Sequence, residues 1–204
     1  YEVPLLMKEE KLDEVVCEKL SLLGKDHYEL KKWEKFLNHL SEPERTTEIA
    51  LIGKYVELKD SYISIAESLI HAGAENKTRV NIHWIHSSEM EGENIKNQLS
   101  KMDGIIVAPG FGSRAVEGKI SAVKFARENQ VPFLGICLGM QCAVIEFARN
   151  VIGFKEAHST EGNNNTSYPV ISMMEEQKEL KNLGGTMRLG AYDCHIEKDS
   201  LLHK

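Results

Sequence analysis

The chain has 204 residues, 42% of them hydrophobic and 27% charged, enough for one sizeable domain with a small appendage and ordinary for a globular protein. A net charge of −6 and a pI near 5.8 argue against general binding to nucleic acid or anionic membranes, and no run approaches the ~18 apolar residues of a membrane helix. Four scattered cysteines (Cys17, Cys137, Cys142 and Cys194) form no CxxC pair, which fits a reducing, cytoplasmic setting and argues against a zinc cluster or any other metal site; the sequons at Asn76 and Asn164 then carry no weight.

No signal peptide opens the chain, and its start, YEVPLLMKEEKLDE, reads as if cut from something longer. Residues 8–23 set Leu12, Val15, Val16, Leu20 and Leu23 at helical spacing, with Gly24 as a stop. Residues 28–40 repeat the pattern with Leu30, Trp33, Leu37 and Leu40, so the first 40 residues read as two short amphipathic helices. A polar linker, 41–47, contains Pro43.

The pattern then changes. TEIALIGKY at 47–55 predicts a buried strand. Residues 60–76 predict a helix capped by Asp60 or Ser61, with Tyr62, Ile65, Ala66, Leu69, Ile70 and Gly73 on one face. Strand 78–87, a weaker helix at 91–102, strand 103–112, helix 117–129, strand 131–136 and helix 138–150 follow. Strands alternating with helices predict a parallel sheet covered on both faces. The tail is less regular: 159–168 is turn-rich, 169–174 a candidate strand, 175–182 a charged exposed stretch, and 183–197 a glycine pair followed by a strand-like run.

In open parallel sheets, sites form beyond the carboxyl ends of the strands. Two loops lie there: Ala108-Pro109-Gly110-Phe111-Gly112 and Gly135-Ile136-Cys137-Leu138-Gly139. The second has the small-x-nucleophile-x-small pattern of a strand-to-helix elbow, where a tight turn lifts the side chain above the sheet. The helix beyond offers unpaired N–H groups and a positive dipole end, a setting that favours a thiolate. The Leu138 N–H points where an oxyanion forms, and the glycine loop offers a second donor, Gly110; one such donor is worth roughly 3 kcal/mol of barrier. The pattern alone leaves a second reading open, in which Cys137 is a small buried residue. Cys142, Cys17 and Cys194 have no supporting context.

Further residues exceed what spacing shows. GICLGMQ at 135–141 followed by FAR at 147–149 resembles the class I, triad-type glutamine amidotransferases. EGKISAVKFAREN at 117–129, the run into FARNV at 151, STE at 159–161 and GGTMRLG at 184–190 are together similar to the CTP synthase branch, as is the opening YEVPLL. The resemblance spans nearly the whole chain. It implies a flavodoxin-like α/β fold at 47–204, incomplete at its C-terminus, preceded at 1–46 by the end of a synthetase domain and a helical linker. It implies that Cys137 attacks the carboxamide of L-glutamine, that Gly110 contacts glutamine and contributes to the oxyanion hole, that Leu138, Gly139, Met140 and Gln141 line the site, and that Glu161 holds the substrate ammonium. Glu161 taken alone reads as a solvated loop residue.

Two departures from the family pattern stand out. Pro109 replaces a glycine of the usual Pro-Gly-Gly-Phe-Gly loop and has no N–H, leaving the hole to Gly110 and Leu138. The Phe-His-Pro-Glu motif that carries the family's base and its orienting carboxylate does not occur before Lys204, and His158, His195 and His203 have no matching context. Turnover needs a proton shuttle, so the 204 residues alone are expected to hydrolyse glutamine negligibly. No phosphate-loop motif occurs and no cofactor is expected here; the resemblance places ATP, Mg2+ and UTP in a synthetase domain of the same polypeptide, in an enzyme that assembles as a tetramer. The alternatives are an amidotransferase domain serving another biosynthetic enzyme, such as those making GMP or anthranilate, and a non-catalytic regulatory or assembly module.

Overall fold

Arg45–Gly53 form β1, and its last four residues, Ala50, Leu51, Ile52 and Gly53, are buried because neighbours flank it on both sides. A computed structural model describes residues 1–22, 29–110, 116–172, 191, 193–200 and 203. β2 (Thr78–His86), β3 (Gly104–Val107) and β4 (Phe133–Gly135) complete a four-stranded sheet of order β2-β1-β3-β4, every pairing parallel. The expected parallel α/β architecture is therefore present.

Strand alternation sorts the core into two layers. Ala50, Ile52, Ile105 and Val107 face a layer built with α5 (Glu93–Leu99), α6 (Val116–Glu128) and α7 (Leu138–Phe147). Leu51, Ile106 and Ala108 face the other layer, where Tyr62, Ile65 and Leu69 pack from α4 (Ile63–Glu75) and the 3-10 turn before it. In the first layer α6 and α7 are clamped by Arg127, whose Nε and Nη2 donate to both oxygens of buried Glu146 at 2.8–3.1 Å.

Several boundaries differ from the sequence expectations. Among its described residues the leading segment holds three helices: α1 (Val3–Glu9), α2 (Leu12–Lys19) and α3 (Lys31–Ser41). Pro4 opens α1 at a position where its missing N–H costs nothing, and Lys11, at φ 54°, breaks the chain between α1 and α2. Asp60 and Ser61 do not cap α4: they lie in a 3-10 turn, Lys59–Tyr62, and α4 starts without a side-chain cap. A second, two-stranded parallel sheet pairs β5 (Ala157–Ser159), which no periodicity marks, with β6 (Tyr168–Ile171). Gly24, Phe111, Gly112, the charged stretch 175–182 and GGTMRLG at 184–190 lie outside the described residues. The strand-like run after that glycine pair has no strand at 191 or 193–200. Among the described residues no helix is long and apolar enough to cross a membrane.

Candidate active site

β3 and β4 are neighbours, so the loops that leave their carboxyl ends meet at one edge of the sheet. The strand-to-helix turn at β4 is tight. Cys137 is its apex, exposed, with φ 55° and ψ −110°, a backbone region that costs an L-residue of order 1–3 kcal/mol. The two flanking glycines follow from close approach. A Cβ on Gly135 would lie 2.6 Å from the Met140 nitrogen, and one on Gly139 would collide with the Val107 carbonyl, since α7 starts directly on β3. The glycine-x-Cys-x-glycine pattern is thus the footprint of a helix N-terminus pressed onto a sheet edge.

The first turn of α7 leaves donors unpaired. Gly139 N–H donates to the Ile136 carbonyl at 2.9 Å and Gln141 N–H to the Cys137 carbonyl at 3.1 Å. The N–H groups of Leu138 and Met140 have no acceptor among the described residues. Leu138 thus retains the donor that an oxyanion hole needs.

One pocket gathers Gly110, Val116, Cys137, Leu138, Gln141, Ile145, His158, Ser159, Glu161 and Gly162. Five residues singled out from the sequence, Gly110, Cys137, Leu138, Gln141 and Glu161, therefore share one wall system although they span 52 positions, 110 to 161. Gly139 and Met140 do not reach the lining. Gly139 is buried against β3, and Met140 is turned outward, 49% exposed. Glu161 is held by the turn after β5, its N–H donating to buried Ser159 Oγ at 3.2 Å.

His158 also lines the pocket, which spacing did not show. Its Nδ1 lies 2.8 Å from the Ser159 backbone nitrogen and 3.1 Å from the Ser159 carbonyl oxygen, and its Nε2 is 4.0 Å from Glu117. Arg149 braces the same wall, donating to the Ala157 carbonyl at 2.7 Å and to Glu117 at 2.8 Å.

A second missed residue lies beneath the glycine loop. Lys119, on α6, is 1% exposed, and its Nζ donates to the Ala108 carbonyl at 2.8 Å. Burial pushes its pKa below the ordinary lysine value, while negative charge on Cys142 or Cys137 acts in the opposite direction. Cys142 is fully buried on α7, and its thiol is pushed up to about 11 by that burial, so it stays protonated and inert. Cys137 is by contrast exposed.

The glutamine amidotransferase class-I family matches residues 57–203. A CTP synthase of Cytophaga hutchinsonii is 59% identical over 203 residues, covering 100% of this chain and 38% of that protein. A CTP synthase of Methanocaldococcus jannaschii is 52% identical over 210 residues, with 100% and 39% coverage. The chain thus spans well under half the length of the curated relatives it matches. Among solved structures, the Trypanosoma brucei CTPS glutaminase domain with bound acivicin aligns with TM-score 0.61 and 38% identity, over 65% of this chain and 52% of that one.

Proposed function

The chain belongs to the class-I glutamine amidotransferases, and on that premise we propose that it is the glutaminase part of a CTP synthase, releasing ammonia from L-glutamine. The observation that carries the chemistry is the single pocket that sets Cys137, at a strained strand-to-helix apex, beside Leu138, Gly110 and Glu161. The identity of 52–59% to CTP synthases along the whole chain supports the choice of parent enzyme.

In this reading Glu161 pairs with the ammonium of the substrate and places the carboxamide over Cys137. Cys137 Sγ attacks the carboxamide carbon, forming a C–S bond while the carbonyl electrons move to oxygen. The oxyanion is held by the Leu138 N–H, with Gly110 as second donor. Pro109, next to Gly110, contributes no N–H. The tetrahedral adduct collapses with cleavage of the C–N bond; the amine takes the proton given up by the Cys137 thiol and leaves as ammonia, and a glutamyl thioester remains. Water then displaces the thiol and releases glutamate. Ammonia passes to a synthetase domain of the same polypeptide, where UTP, activated at its 4-oxygen by ATP, becomes CTP. Four free cysteines suit a reducing, cytoplasmic setting.

The test is covalent labelling. Acivicin, bound by the Trypanosoma relative, is expected to modify Cys137 of this chain, detected by peptide mass mapping, and to leave Cys137→Ala unlabelled. Modification at Cys194 with none at Cys137 sinks the nucleophile assignment. The parent activity is tested on the full gene product by glutamine-dependent conversion of UTP to CTP; conversion of another acceptor would replace that part of the reading.

A further inference from the structure

Lys119 is a charge without an evident partner. Among the described residues no carboxylate lies within ion-pair distance of it, and its one hydrogen-bond acceptor is the Ala108 carbonyl. A lysine ammonium has three donors, and a buried, unneutralised cation is costly. A sequence selected only for folding places an apolar side chain at such a position, as the neighbours Val116, Ile120 and Val123 do.

The location gives the cost a purpose. Ala108 follows directly on β3, its own N–H donating to the Ile52 carbonyl at 2.9 Å, while the Ile136 N–H donates to the Val107 carbonyl at 3.0 Å. With the Lys119 bond added, the last turn before Gly110 is tied to β1, to the elbow strand and to α6. The Nζ lies 3.5 Å from the position a Cβ on Gly110 would occupy, and Gly110 lines the same pocket as Cys137. The charged and titratable groups whose fields reach Lys119 are Cys137 and Cys142, which favour its charge, and Lys54, which opposes it; Glu117 and Arg149 act on Cys142 from the other side. Cys142 is kept neutral by burial. Cys137, exposed at its turn, lines the same pocket as Gly110, the residue that Lys119 lies against.

We infer that Lys119 is a positioning residue for the thiol chemistry: its buried ammonium fixes the strand end that carries Gly110 and supplies the positive charge against which the Cys137 thiolate forms. This rests on Cys137 being the nucleophile. The attraction runs both ways: the lysine favours the thiolate, and the thiolate keeps the lysine protonated in spite of its burial. No carboxylate is needed, and one would compete with the thiolate for the cation.

The experiment uses the 204-residue chain and iodoacetamide, a neutral alkylating agent, with rates read at each cysteine by peptide mass mapping. In Lys119→Met, a substitution of similar length that suits an apolar slot, alkylation of Cys137 at neutral pH is expected to slow about tenfold or more, while the rate at exposed Cys194 stays the same. An unchanged Cys137 rate in a folded Lys119→Met chain overturns the proposal. A second measurement needs no lysine variant and separates charge from mere packing. The titration of Lys119, followed by NMR of the lysine Cε in a carbon-13-labelled chain, is expected to move to lower pH in Cys137→Ala. An identical midpoint in the two chains overturns the proposal even if Lys119→Met fails to fold. If Cys137 of the unsubstituted chain alkylates no faster than Cys194, the nucleophile assignment itself falls and this inference with it.

Discussion

The elbow at β4–α7 and the leading helices α1 and α2 are both short, and they are built in opposite ways. At the elbow backbone meets backbone: Gly135 and Gly139 stand where no Cβ fits, and Cys137 is held in a sparsely populated conformation. In α1 and α2 no residue is buried, and Val3, Leu6, Met7, Leu12, Val15 and Val16 are exposed. The apolar residues of α2 recur at helical spacing, yet none of them is buried. Periodicity therefore reports that a face is meant for burial, whereas paired glycines report what is already pressed against them.

The sharpest way to break this comparison is Gly139→Ala. Alanine is the better helix former by about 1 kcal/mol, so an unconstrained site would be stabilised. Here the new Cβ meets the Val107 carbonyl, a backbone atom that cannot swing aside. The expected result is a loss of about 3 kcal/mol in urea unfolding, together with loss of acivicin labelling at Cys137. A stabilised variant would show that the elbow is no tighter than α2.

Next in size is Glu146→Gln, which tests how far the elbow depends on the clamp between its own helix and α6. Glu146 accepts from Arg127 and from Asn150 Nδ2 at 3.1 Å and is 1% exposed. Losing its charge while leaving the guanidinium is expected to cost about 2 kcal/mol, measured by thermal or urea unfolding. No comparable clamp exists among the described residues of α1 and α2, so the comparison sharpens if the loss is seen here alone.

Cys137→Gly has the opposite sign. Glycine adopts φ 55° without the penalty an L-residue carries, and the exposed thiol makes no hydrogen bond among the described residues. Stability is expected to rise by about 1 kcal/mol, by urea midpoint, while labelling at position 137 disappears. A stability gain paired with complete loss of reactivity identifies the strain as a feature of the site rather than of the fold.

How much of this was legible follows the same division. β1 was legible because TEIALIG is apolar on both faces, as a central parallel strand must be. The elbow was legible because two glycines and a cysteine at fixed spacing are a local footprint. β5 was not, since Ala157–Ser159 is three residues long and takes its identity from pairing with Tyr168–Ile171. Asp60 looked like a cap, but a 3-10 turn separates it from α4. Glu161 reached the Cys137 pocket only through the resemblance, because the turn after β5 is positioned by long-range contacts such as Arg149 to Ala157. Lys119 left no signal at all: in EGKISAVKFAREN it reads as one of several polar residues on an amphipathic helix, and its burial is set by a loop that precedes it in the chain.

The smallest expected effect tests the other side of the comparison. Leu6 on α1 is 56% exposed, and Leu6→Ser removes an apolar side chain that touches mostly solvent. Fully burying a leucine is worth about 1.5–3 kcal/mol, so a residue this exposed recovers little of that. The substitution also costs a few tenths of a kcal/mol in helix propensity. The expected change in unfolding free energy of the 204-residue chain is within about 0.5 kcal/mol, by the same urea titration used for Gly139→Ala. A loss of 2 kcal/mol or more, or a midpoint that rises with protein concentration only in the unsubstituted chain, would mean that α1 is covered in solution. In that case the contrast between a closed elbow and an open leading segment would be one of which partner supplies the covering surface, not of whether there is one.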